Sequence, residues 1–229
     1  MGANAEAVLA ELKANRGSSK DLAGMARYAI NTERALGVRM PVLRALAKRL
    51  GHDHTLAQAL WDSGIHEARI LAGLVGEPDK VTDAEMEAWV REIDSWDVCD
   101  GLMGNLYTRC PLAWEKAGVW TGRKQELVKR AGFVLAARLA VQDKAAEDER
   151  FLSFLPVIER EANDGRNMVM KAVNWALRQI GKRNGGLHSA AIACAEDIRR
   201  QDTKSARWIA SDALRELNSE KVKARLARR

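Results

Sequence analysis

From its first residues to about residue 217 the chain is a nearly unbroken succession of segments whose apolar residues recur three and four apart, and nowhere does it carry the apolar–polar alternation of a strand. That spacing dictates helices, and each must bury one stripe against a neighbour because a lone amphipathic helix is marginal in water. Proline stands only at 41, 78, 111 and 156, and short turns carrying Gly, Asn, Asp or Pro separate the segments. Helices are expected near 3–15, 18–30, 41–50, 55–62, 66–75, 82–92, 95–108, 111–117, 124–141, 147–163, 166–181, 186–200 and 204–217.

Many short helices in antiparallel pairs suit a row of stacked units better than a closed bundle. From Glu147 onward the pairs recur about every forty residues, in the range of HEAT-like pairs. The expected architecture is therefore all-α: a right-handed α-solenoid of HEAT-like antiparallel helix pairs with a concave basic face. It forms one domain over 1–229, with capping helices over 1–36 and a basic tail over 219–229.

Lysine and arginine number 37 against 31 aspartates and glutamates, a net charge of +6. That excess is compatible with a polyanionic partner without demanding one. Cys99, Cys110 and Cys194 are odd in number and lack CxxC spacing, which argues against a disulfide framework and for a reducing cytoplasm. No apolar run approaches the ~18 residues of a membrane span. The start lacks a signal pattern, and Glu6 stands where a myristoylation signal wants Ser or Thr. The histidines at 52, 54, 66 and 188 have no metal-ligand spacing. The expectation is a soluble cytoplasmic monomer without metal, cofactor or membrane contact.

Asp94-Ser-Trp-Asp-Val-Cys-Asp-Gly-Leu-Met-Gly-Asn-Leu-Tyr107 is the most suggestive stretch. Asp94 can cap a helix with Asp97 at its third position. Trp96, Asp100 and Tyr107 then fall within about 40° of one another beside an apolar stripe of Cys99, Leu102, Met103, Leu106 and Cys110. Such a strip suits a flat or cationic ligand. It equally suits a tryptophan packed at a helix seam with Asp100 paired to an arginine.

Two further helices carry charge where packing alone does not ask for it. Leu127–Val141 is apolar almost all round yet contains Arg130 and Arg138, whose guanidinium groups need a carboxylate or a phosphate. In Arg166–Ile180 the core face is Val169, Val173, Ala176, Leu177 and Ile180. Trp175 lies roughly 140° from its centre among Lys171, Arg178 and Gln179. It either covers a neighbouring repeat or offers a ring to nucleic acid. The loop Gly181-Lys182-Arg183-Asn-Gly-Gly186 leads into a helix N-terminus that favours phosphate, and Lys204, Arg207 and Trp208 repeat the basic–aromatic combination. Earlier, Arg44 and Lys48 stand one turn apart after Pro41, as phosphate contacts or as a solvated face. His66 opens a helix with no Ser or Cys partner for a triad.

Trp96-Asp-Val-Cys-Asp100, Lys129-Arg130-Ala and Lys171-Ala-Val-Asn-Trp175-Ala-Leu-Arg178, in that order, resemble the AlkD family of DNA alkylation-repair glycosylases, as does Gly37-Val-Arg-Met-Pro41-Val-Leu-Arg44-Ala-Leu-Ala-Lys48. The resemblance spans nearly the whole chain. It implies hydrolysis of the N-glycosidic bond of N3- or N7-alkylated purines in double-stranded DNA, without metal or cofactor, in the nucleoid-associated cytoplasm. By match, Asp100 is the catalytic carboxylate, Trp96 and Trp175 flank the damaged nucleotide, and Arg130 is a positioning residue. Arg44, Lys48, Lys171, Arg178, Lys182, Arg183 and Lys204 are then candidates for the DNA backbone. Ser95 departs from the pattern, since many members carry a second aromatic there. Two other readings remain: a solenoid that binds damaged or branched DNA without chemistry, and a HEAT-type protein scaffold.

Overall fold

The structure, a computed structural model, describes residues 4–228. Residue 3, where the first helix was expected to begin, the Met1-Gly2 start and Arg229 at the end of the basic tail lie outside the described residues. Those residues form fifteen α-helices and two short 3-10 turns, with no strand among them. The chain divides between Leu112 and Ala113 into two compact units.

The first unit holds α1 (Ala5–Ala14), α2 (Ser19–Arg27), α3 (Met40–Leu50), α4 (His54–Asp62), α5 (His66–Val75), α6 (Asp83–Glu92) and α7 (Trp96–Asn105). Helix starts follow the residues that can satisfy free backbone N–H groups. Ser18 and Asp21 close a capping box on α2, Asp53 accepts from Leu56 N at 2.9 Å on α4, and Thr82 caps α6. Gly51 ends α3 at φ 72°, a conformation that costs a side-chain-bearing residue. Helix α5 is the centre of this unit, packed on α3, α4 and α7 through Ala68, Leu71, Ala72 and Val75. Trp61 stacks on Trp89 with centroids 4.4 Å apart, and Arg69 lies 4.8 Å over Trp61 while pairing with Glu92 at 3.1 Å.

The second unit holds α8 (Ala113–Thr121), α9 (Glu126–Gln142), α10 (Asp148–Leu152), α11 (Leu155–Glu161), α12 (Asn167–Ile180), α13 (Gly185–Arg199), α14 (Lys204–Leu217) and α15 (Glu220–Leu226). Helix α9 is buried on nearly every side, as its composition demands, and packs on α8 and α12, which in turn packs on α14. The closest approach at a glycine of this unit is at Gly132, where a Cβ would stand 2.5 Å from Thr121 N and 2.8 Å from Trp120 C. Gly132→Ala is therefore expected to lower unfolding stability by about 3 kcal/mol, the upper range for overpacking. Gly118→Ala, in a helix with nothing within 4 Å of the added atom, is expected to be neutral or stabilising. Urea titrations of the two variants check the contrast.

Several boundaries differ from the sequence expectation. The helix expected over 147–163 is two, α10 and α11, because Pro156 is tolerated only in the first turn of a new helix. Residues 95–108 end their α-helix at Asn105 and continue as a 3-10 turn, Tyr107–Arg109. Tyr107 accordingly leaves the Trp96–Asp100 strip and is fully buried, and burial raises its pKa well above 10. The tail beyond residue 218 contains a helix, α15. All three cysteines are buried thiols, and burial pushes those of Cys110 and Cys194 up to about 12.

Candidate nucleic-acid interface

Helix α7 begins one residue later than the capping pattern suggested. Ser95, not Asp94, is the cap residue, and Asp94 instead accepts the Asn31 side-chain amide at 3.0 Å. Ser95 is buried; its hydroxyl donates to Asp97 Oδ1 at 2.6 Å and accepts from Asn31 N at 3.3 Å. Trp96 and Asp100 are both half-buried, one helical turn apart, at the border of the core. The Trp96 indole N–H donates to the carbonyl of Tyr28 at 2.8 Å. Tyr28 follows α2 and is 75% exposed, and Ala29 after it turns the chain at φ 57°, an unusual conformation for a residue with a Cβ. The indole edge is thereby fixed by backbone, with the ring left at the border of solvent.

Behind this strip, His66 Nε2 lies 2.9 Å from Asp97 Oδ2, so the helix-opening histidine of α5 is a buried partner of α7. Burial works to lower the His66 pKa, but the hydrogen bond and charge of Asp97, aided by Glu67 and Asp94, leave it raised above 6.5. Burial works to raise Asp97, and the same pair with the Ser95 hydroxyl and the Val98 amide leaves it below 3.8. The raised His66 contributes stability fully present below its unfolded value and lost as pH rises through its folded pKa. The lowered Asp97 contributes stability present above its unfolded value and lost as pH falls through its folded pKa. Urea midpoints are expected to peak between about pH 4 and 6.5. His66→Gln should flatten the alkaline limb; an unchanged limb in that variant would remove the pair as its cause.

Next to the pair is a cavity of about 280 Å³ lined by Met25, Ile30, Arg39, Met40 and Ile70, with Glu67 in its wall. The Glu67 carboxylate is buried and accepts the backbone N–H groups of Leu36, Gly37 and Val38 at 2.8, 2.6 and 3.2 Å. That contact ties down the loop leading into α3, on which Arg44 and Lys48 are both exposed.

In the second unit, Arg130 is buried on α9 and donates to Met168 O at 2.8 Å. The neighbouring Lys129 pairs with Glu161 and, at 3.3 Å, with Asp164, whose pKa the Arg166 side chain lowers to about 2. Trp175 is half-buried on α12. The Arg138 guanidinium lies 5.0 Å from its ring, so Arg138 has an aromatic face where a carboxylate or phosphate was expected. With the Gln179 amide turned to suit both neighbours, its oxygen accepts from Trp175 Nε1 at 2.9 Å and Lys182 Nζ at 3.2 Å. Arg130, Lys171, Trp175, Arg178, Trp208 and Asp212 are among the residues lining a pocket of about 440 Å³.

The candidate backbone contacts divide into two groups. Lys171 and Lys204 are exposed, as are Arg44 and Lys48 of the first unit. Arg178 pairs with Glu216, and with Asp212 at 3.6 Å, while Lys182 pairs with Glu216 at 2.5 Å. Those carboxylates already balance the two charges. Arg183 donates to the carbonyls of Ala140, Asp143 and Ala146 at 2.9, 2.8 and 3.1 Å and lies 4.0 Å over Phe151, which makes it a clamp on the chain after α9 rather than a free arm. Sequence reasoning missed Asn174 and Asp212 in the pocket lining; the one-turn spacing of Asp212 from Trp208, the same as Asp100 from Trp96, was the available signal.

Charge is distributed unevenly. The first unit carries 13 basic against 16 acidic residues, the second 24 against 15. A polyanion is thus favoured by residues of the second unit. Among the described residues no group of three or more His, Cys, Asp or Glu is placed to hold a metal ion, and no helix is long and apolar enough to cross a membrane.

Residues 8–217 match the family described as DNA alkylation repair enzyme. No curated protein matches the chain. Among solved structures, a similar fold is found at TM-score 0.80 and 19% identity, covering 98% of this chain and 96% of the other. That protein is described as one of "a new family of proteins related to the HEAT-like repeat DNA glycosylases with affinity for branched DNA structures". The likeness establishes a HEAT-like repeat fold for this all-α chain.

Proposed function

Because the chain belongs to the DNA alkylation repair enzyme family, we propose that it is a glycosylase hydrolysing the N-glycosidic bond of cationic N3- or N7-alkylated purines in duplex DNA. The observation that carries this reading is the half-buried Trp96–Asp100 pair at the head of α7, with the indole anchored to the Tyr28 carbonyl. A purine alkylated at N3 or N7 already bears positive charge, so it leaves without a general acid. The remaining tasks are to stabilise an oxocarbenium-like sugar and to deliver water. Asp100 serves both, by its charge and by orienting the nucleophile, as carboxylates do at other glycosidic centres. The face of Trp96 holds the cationic nucleotide, an attraction of about 0.5–2 kcal/mol. Trp175, Arg130 and Lys171 of the second unit contact the DNA, as does Lys204, and Arg44 and Lys48 meet phosphates from the first. No step requires a metal or cofactor.

A second reading takes its support from the solved relative's affinity for branched DNA: a binder of damaged or branched DNA without chemistry. Release of 7-methylguanine and 3-methyladenine from methylated duplex DNA separates the two. Release above the spontaneous rate supports the glycosylase. Tight, salt-dependent binding indifferent to methylation, with no release, supports the binder.

A further inference from the structure

Two adjacent helices of the second unit carry the same short pattern, Lys171-x-x-x-Trp175 on α12 and Lys204-x-x-x-Trp208 on α14. One-turn spacing puts each lysine and its tryptophan on one helix face. Both lysines are exposed, and both tryptophans line the pocket of about 440 Å³, a volume in the range of small-ligand sites. Trp208 is 41% exposed. Folding therefore leaves a large aromatic surface in water, although Ile209, Ala210 and Ala213 of the same helix are completely buried.

The lining is held in place. Asp212, one turn beyond Trp208, accepts from Asn174 Nδ2 at 2.7 Å and pairs with Arg215. Asn174 is 1% exposed, and among the described residues its Oδ1 has no hydrogen-bond partner. The wall of the pocket thus retains one unsatisfied acceptor beside two ring systems and the solvated Lys171, with the solvated Lys204 one turn before Trp208 on α14.

We propose that this pocket holds one unpaired nucleotide of a DNA strand, its base against Trp208 and Trp175 and its flanking phosphates met by Lys204 and Lys171. An intact duplex does not meet this description, because its base faces are covered by their neighbours, whereas an unpaired base offers a face to any aromatic ring. The proposal rests on the DNA-binding reading above and extends it: the second unit prefers DNA with unpaired nucleotides whether or not a base is alkylated.

The test compares binding of the full chain to two unmethylated DNAs of equal length, an intact duplex and one with a short single-stranded gap, by fluorescence anisotropy at fixed salt. Wild type is expected to favour the gapped DNA about tenfold, and Trp208→Ala to lose that preference with duplex affinity changed less than about twofold. Trp208→Phe should retain most of the preference. Lys204→Ala should weaken both DNAs and reduce the salt slope by about one. If Trp208→Ala keeps its fold by circular dichroism and still prefers the gap like wild type, the proposal is overturned while DNA binding stands. If wild type binds neither DNA, the DNA-binding reading falls with it.

Discussion

Asp100→Asn is expected to lower the release of alkylated purines about 100- to 1000-fold, the usual effect of removing one aligned group from a developing charge. The substitution keeps the size of the side chain and removes its charge. It should therefore spare the packing of the apolar stripe beside it, Cys99, Leu102 and Met103, all buried in α7. Affinity for methylated duplex should change less than about twofold, because the lost interaction acts on the transition state more than on the bound ground state. The measurement is single-turnover release at matched occupancy. A fall in binding equal to the fall in release would take Asp100 out of the chemistry and leave it as a contact.

Glu67→Gln is expected to have the largest effect on stability, about 3–5 kcal/mol. Three backbone N–H groups converge on this one carboxylate. An amide has a single oxygen and turns its own N–H groups toward donors, so at least one amide of the Leu36–Val38 loop is left buried without an acceptor. Urea denaturation gives the magnitude. The functional consequence is also specific: the loop leads into α3, so Arg44 and Lys48 lose their fixed position and DNA affinity falls at urea concentrations where the rest of the first unit remains folded. A variant with wild-type midpoint would show that the three contacts contribute little.

Helix identity and the core were legible wherever a segment's own composition decided the outcome. Helix α9 has so few polar residues that only burial suits it, and it is buried. The head of α7 was less legible because Ser95 and Asp94 are both good caps; Asn31, 64 residues away from Ser95, decides between them by donating to both side chains. The expected strip extended to Tyr107 because helical periodicity was carried past Asn105, where the helix stops. Cations were the hardest to read. Arg178, Lys182 and Arg183 look available in sequence, but their partners lie more than thirty residues away in Glu216 and in the carbonyls of Ala140, Asp143 and Ala146. Periodicity identifies a face as polar and is blind to what that face meets.

The buried cysteines bear on the chemistry around a protein whose family is described as DNA alkylation repair enzyme. The agents that methylate purines are electrophiles, and a thiolate is a better nucleophile toward them than any ring nitrogen of a base. Burial pushes the Cys110 and Cys194 thiols up to about 12, so both stay protonated at pH 7. Both side chains are also shut away from solvent, as is Cys99. The fold thus keeps its cysteine thiols out of reach of such electrophiles.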